Sequence, residues 1–267
     1  MKRIAIITTA LAALVSISAC RKLDVDVESQ YVNGNFPVTQ GDYAALFGTM
    51  YTNLASNYAI AYWRMQELST DEAIIPARDG NFDDGGQYRQ LHYHTWTYDH
   101  PNVNGVWQWG FGGINNCNRL INLTNSSNAD EATKAANVAE VRAVRALYYF
   151  FMMDTYGNVP LITDFPVATL PATQPRAKVF EYIESELKDI AQQLPSKSAN
   201  QADNVLRYGR PTKEMAFALL AKMYLNAEVY TGIKRFNDVV AMADSIQKNT
   251  GYFLDARYRD IFLPNNG

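Results

Sequence analysis

One stretch constrains the fold of this 267-residue chain more than any other: residues 128–160, NADEATKAANVAEVRAVRALYYFFMMDTYGNVP. Its first half reads as an amphipathic helix with Lys134, Asn137 and Glu140 on the polar side. Its second half, residues 146–153 (ALYYFFMM), has no polar side. A helix that is apolar all round has to be enclosed by other elements. The run is far short of the roughly 20 residues that span a bilayer. Asn128, with Glu131 three residues on, has the pattern of a capping box, and Gly157 followed by Pro160 marks the stop. These residues predict the central helix of a helical domain.

The rest of the chain supplies helices to enclose it. Residues 38–57 repeat apolar side chains at three- and four-residue steps (Tyr43, Leu46, Phe47, Met50, Tyr51, Leu54), with Thr39 as the expected cap. Residues 58–68 read as a turn and a second short helix. Residues 103–124 form a helix with Val103, Val106, Trp107, Gly110, Ile114, Cys117 and Ile121 inward. Gly110, Gly112 and Gly113 cost this helix about 1 kcal/mol each relative to Ala, and permit either close approach or a kink. A proline-containing connector (159–174) precedes a helix over 176–194. Pro211 suits a first helical position, and 216–230 is again apolar, with Ala216, Ala218 and Ala221 as close-contact points. Residues 236–249 complete the series, with Val239, Val240, Met242, Ala243 and Ile246 expected to be buried. Paired helices joined by short turns predict a mainly α fold: tetratricopeptide-like helical hairpins forming a superhelix, with long irregular loops.

Residues 69–101 break this pattern. The segment is rich in Gly, Asp, Asn, His and aromatic residues and has no sustained period. A loop this long in a compact domain is usually functional or disordered, and its aromatic content argues for packing. Aromatic faces stack on sugar rings, while amide, carboxylate and guanidinium groups fix hydroxyls. The candidate ligand-binding residues are Phe82, Tyr88 and Trp96 for stacking, and Arg78, Asn81, Asp83 and Asp84 as polar partners. Two plainer readings stand beside this one: Trp96 as a packing residue, and Asp83-Asp84 as part of a solvated turn, FDDGG.

Catalysis finds little support. His92 and His94 stand two apart, a spacing that suits a strand, and no third ligand follows at a metal-site spacing. The adjacent Asp83 and Asp84 diverge, whereas paired-carboxylate hydrolysis needs convergent groups. His100 and Asp99 complete no recognised motif, and the chain lacks HExxH, a nucleophile elbow and a phosphate loop. The reading is a non-enzymatic protein without metal or cofactor. A net charge of −3 with no basic block gives nucleic acid no electrostatic footprint. A helical-repeat interaction scaffold without a small-molecule site is the rival reading.

The chain opens with Lys2 and Arg3, an apolar run over 4–17, then Ile17-Ser18-Ala19-Cys20. This resembles the bacterial lipobox, in which the cysteine is acylated; an ordinary secretion signal is the alternative. The expected organisation is a signal peptide over 1–19, a lipid-proximal arm over 20–37 and a helical domain over 38–267. Diacylglycerol with an amide-linked acyl chain at Cys20 would anchor the protein stably, and Arg21 is compatible with outer-membrane sorting. Cys117 is then left without an intramolecular partner and reads as a buried thiol.

Several collinear stretches resemble the SusD/RagB family of Bacteroidetes outer-membrane lipoproteins. They are Leu23-Asp24 after the lipobox cysteine, MQELSTDEAIIPARDG (65–80), HTWTYDHPNVNGVWQWGFGGINNCNRLI (94–121), AEVRAVRALYYFFMMDTYGNVPLIT (139–163) and GRPTKEMAFALLAKMYLNAEVY (209–230). The resemblance implies a lipid-anchored, surface-exposed binding protein of the outer membrane. It implies a lid over a SusC-like TonB-dependent transporter, capturing oligosaccharides or, in the RagB-like branch, peptides. The family usually continues past YRDIFLPNNG, where this chain stops, so the resemblance also implies truncation before a C-terminal half that contributes ligand surface.

Overall fold

The computed structural model describes residues 36–198, 200 and 208–263. The residues expected to form the signal peptide, the lipobox with Cys20 and the arm up to residue 35 lie outside the described residues. The fold is mainly helical, as expected. Helix α1 (Gln40–Asn57) leads into a π-helical turn (Tyr58–Tyr62) and α2 (Trp63–Glu67). A short α3 (Gln87–His92) sits inside the long loop. Helices α4 (Pro101–Asn125) and α5 (Glu131–Tyr156) follow, then the two-residue strands β1 (Val159–Pro160) and β2 (Thr173–Gln174). Helices α6 (Arg176–Ile190), α7 (Lys213–Leu225), α8 (Ala227–Thr231) and α9 (Phe236–Gln247) complete the series. Each long helix packs on the next: α1 on α4, α4 on α5, α5 on α6, α6 on α7, α7 on α9. The strands pair antiparallel, Val159 opposite Gln174. Among the described residues no helix is long and apolar enough to cross a membrane.

Helix α5 is the centre of this stack. Every residue of 146–153 is buried except Leu147, which is half-buried. The Phe151 ring lies 4.8 Å from Tyr62, 5.6 Å from Tyr58 and 5.8 Å from Trp109, centroid to centroid. Gly110 and Gly113 of α4 serve close approach and make no kink, whereas Gly112 faces open space. A Cβ at Gly110 would collide with the Met152 side chain, and one at Gly113 with the Tyr148 ring. The Tyr148 hydroxyl donates to Asn53 Oδ1 (2.5 Å) and the Trp109 indole to the Asn53 carbonyl (2.7 Å), tying α1, α4 and α5 together.

Several local expectations are corrected. The cap of α5 is Asp130, whose Oδ1 accepts from the Thr133 N–H (2.9 Å), two residues later than the Asn128 expected. The stop holds: Gly157 has φ 78° and its N–H closes on the Met153 carbonyl (3.0 Å). Asn137 and Glu140 are buried rather than solvent-facing. Glu140 accepts from the Tyr51 hydroxyl (2.6 Å) and from Arg210 Nε (2.9 Å), partners that make burial of a carboxylate tolerable. Thr39 caps α1 in a reciprocal box with Asp42, as read from the sequence. Residues 58–62 continue the helix as a π-turn instead of breaking it. Pro211 precedes the true cap, Thr212, which accepts from the Met215 N–H (3.2 Å). Ala216 is buried, but Ala218 is exposed.

The largest misreading concerns α9. None of Val239, Val240, Met242, Ala243 and Ile246 is fully buried, and Val240 is 59% exposed. One face of α9 rests on α7, and among the described residues no further layer covers the other.

Charge is also held inside. Arg145 donates to Asn118 Oδ1 (2.7 Å) and Glu186 Oε2 (2.8 Å), and Arg142 reaches Glu186 (2.8 Å) and Asp189 (2.7 Å). Burial alone pushes the Glu186 carboxyl up; hydrogen bonds from Arg142 and then Arg145 outweigh it and hold it below the usual range. Cys117 is buried, and desolvation pushes its thiol up to about 12.

Candidate functional site

The long loop is stiffly built. Residues 78–81 form a hairpin turn closed by Arg78 N–H to the Asn81 carbonyl (3.0 Å) and Asn81 N–H to the Arg78 carbonyl (2.8 Å). Asp79 (φ 50°) and Gly80 (φ 80°) occupy its centre, the left-handed pair that a two-residue I′ turn requires. Phe82 (φ 58°), Asp84 (φ 43°) and His94 (φ 56°) are left-handed as well. Among the described residues every non-glycine with positive φ lies in this loop. Such a conformation is uncommon for a bulky residue such as Phe82 and persists only where the surroundings enforce it.

The loop has a satellite cluster of its own. Tyr88 and Leu91, one turn apart on α3, pack with Leu68 from the end of α2, and Met65, Ala73 and Ile75 flank them. The Arg64 guanidinium lies 5.2 Å above the Tyr88 ring. Tyr88 is only 7% exposed; burial, then the Asp84 carboxylate, raise its phenol above the usual tyrosine value. Its ring has no open face, so the expected stacking role does not fit its placement. Tyr88 supports the loop from beneath.

Above this cluster lies a cleft of about 250 Å³, whose wall includes Phe82, Asp83, Arg89, His92 and Tyr93. Phe82 is 65% exposed. Asp83 Oδ1 stands 3.4 Å from Arg89 Nη2, and both side chains are exposed. Arg78 and Asn81 are exposed on the adjoining hairpin, and Asp84 on the short turn that follows it. Trp96, 40% exposed, is not in this cleft. It borders a separate cavity of about 270 Å³ with Gln66, Asp154 and Thr155, and its ring meets His94 edge-on at 5.3 Å. The predicted residues therefore divide into a hairpin group around Phe82, a buried support in Tyr88, and Trp96 on a second cavity.

The histidines do not converge. His100 caps α4: its Nε2 donates to the Gln87 carbonyl (3.0 Å) and its Nδ1 accepts from the Asn102 N–H (3.2 Å). The His94 imidazole donates to the Ser69 carbonyl (2.7 Å). His92 ends a helix rather than standing in a strand. Among the described residues no three of His, Cys, Asp or Glu gather at metal-binding distance. The site offers exposed rings beside hydrogen-bonding groups of both signs, which is chemistry for holding a neutral polar ligand. Sequence reasoning missed His92 and Tyr93 as wall residues. The spacing of Tyr88 and Leu91, one helical turn, was the available signal that Tyr88 faces inward.

Comparison with known proteins places the chain in a family. Residues 23–225 match a SusD-like family described as "Starch-binding associating with outer membrane". The starch-binding protein SusD of Bacteroides thetaiotaomicron is 28% identical over 120 residues, covering 45% of this chain and 20% of that protein. A SusD-like protein from Bacteroides fragilis superposes with a TM-score of 0.70 at 22% identity, over 85% of this chain and 42% of the other. Surface glycan-binding protein A from Bacteroides thetaiotaomicron, in complex with laminarihexaose, gives 0.67 at 21% identity, over 86% and 47%. The chain thus spans about half the length of these solved relatives. With the match extending over most of the sequence, the chain belongs to the SusD-like family of starch-binding, outer-membrane-associating proteins.

Proposed function

We propose that this protein is a cell-surface glycan-binding lipoprotein that captures oligosaccharides for a SusC-like TonB-dependent transporter, without catalysing a reaction on them. The observation that carries the reading is the exposed Phe82 ring, held in a left-handed conformation beside the Asp83–Arg89 pair over the cleft. An exposed ring costs a protein solubility and gains it nothing in packing; beside paired hydrogen-bonding groups it suits a sugar face. Starch binding in the family and the laminarihexaose complex of one relative support a glycan over a peptide. Anchoring at Cys20 follows from the Ile17-Ser18-Ala19-Cys20 sequence. Micromolar to millimolar affinity, about −8 to −4 kcal/mol, is expected.

Titration calorimetry against glycan and peptide panels tests the reading. Phe82→Ala is expected to weaken the best glycan about tenfold, near 1.4 kcal/mol, with the helical circular dichroism unchanged. Unchanged affinity, or peptide binding without glycan binding, contradicts it. For the anchor, Cys20→Ser is expected to move the protein from the membrane to the soluble fraction. For the partner, a large β-barrel transporter is expected to copurify in mild detergent.

A further inference from the structure

Resting on the glycan reading above, we infer that the cleft is a one-ring subsite. Tyr93 is its second stacking surface, so the protein grips a single residue at an end or branch of its glycan. Phe82 and Tyr93 both line the cleft and are each 65% exposed. They approach it from opposite ends of the loop segment, Phe82 just after the hairpin turn and Tyr93 at the end of α3. Tyr93 is fixed in place. Its N–H donates to the Arg89 carbonyl (2.9 Å), and the His92 ring braces it edge-on at 5.3 Å.

The polar groups select for hydroxyls. At 3.4 Å the Asp83–Arg89 pair is longer than the roughly 2.7–2.9 Å of a tight charge-assisted bond. Carboxylate and guanidinium thus remain free to accept from and donate to neighbouring hydroxyls. Opposite charges side by side disfavour a ligand of either net charge. The volume sets the size: about 250 Å³ falls below the roughly 300–1,000 Å³ of sites that enclose a drug-sized ligand. One sugar ring fits, and the rest of the chain lies outside.

The test is calorimetry with laminaribiose, laminarihexaose, maltose and maltohexaose on the wild type and four variants. Tyr93→Ala is expected to weaken binding about tenfold and Tyr93→Phe less than about threefold, since the ring carries the contact. Tyr98→Ala, a control ring 91% exposed and outside the cleft wall, should bind as wild type. Within a series, the disaccharide and hexasaccharide should agree to within about fivefold. If Phe82→Ala loses affinity while Tyr93→Ala keeps it, the inference falls and the glycan reading stands. A hexasaccharide more than about tenfold tighter than its disaccharide also overturns the one-ring subsite. If no sugar binds the wild type, or neither Phe82→Ala nor Tyr93→Ala weakens binding, the glycan reading at this loop falls and takes the inference with it.

Discussion

Residues 146–153 and residues 78–93 are both rich in aromatic side chains, and the fold treats them in opposite ways. In α5, Tyr148, Tyr149, Phe150 and Phe151 are buried against rings and helices on all sides. In the loop, Phe82 and Tyr93 stand 65% exposed above a small cluster of three buried residues. The backbone follows the same division. Helix α5 is regular from Glu131 to Tyr156, whereas the loop holds the left-handed non-glycine residues. Aromatic content alone therefore does not separate core from site. The difference lies in whether neighbouring elements supply enclosing surface.

The contrast makes graded predictions. Phe151→Ala removes a ring packed by four others and should cost about 3–5 kcal/mol in a denaturant titration. A loss below about 1 kcal/mol would place α5 at the periphery. Tyr88→Ala should cost less globally, about 1–2 kcal/mol, because a loop on a small cluster opens without unfolding the domain. Its signature should be faster amide exchange over residues 84–93 with the α4 and α5 amides unchanged. Equal exchange changes in loop and core would erase the distinction between the regions.

Acid should act on the helical stack. Glu186 has a folded pKa below its unfolded value, so its contribution is present above the unfolded pKa, about 4.3, and is lost as pH falls through the folded one. Stability should decline below about pH 4, and Glu186→Gln should flatten part of that decline. An unaltered acid limb would mean that the Arg142–Glu186–Arg145 network does not stabilise the packing. The smallest effect concerns Cys117. With its thiol pushed up to about 12 by burial, it should resist alkylation in the native protein at neutral pH and react on unfolding. Rapid native labelling would show that the α4–α5 seam is open.

The core was legible in the sequence because local periodicity decided it: the faces of α1 and α6 and the whole of 146–153 were read correctly. What was lost depended on distant partners. Asn137 and Glu140 looked like a solvent face because Tyr51 and Arg210, the partners of Glu140, lie 89 and 70 residues away in sequence. Helix α9 showed an amphipathic pattern, but a pattern cannot say whether a second layer covers it. The loop reads as a candidate site from its composition, and of its candidates Phe82 and Asp83 line the cleft, whereas Arg78, Asn81 and Asp84 lie outside its wall. Tyr88 does not line it, because a six-residue helix turns that ring inward, and its one-turn spacing to Leu91 was the only sign of this in the sequence. Trp96 was separated from Phe82 by the same short helix.

Hydrogen exchange with and without a bound hexasaccharide tests most directly whether the uncovered rings, and not the core, meet the ligand. The account predicts protection concentrated in residues 74–93, with exchange in α4 and α5 unaltered. Protection confined to the α7–α9 face, or absent from the loop while the glycan is bound, would contradict it.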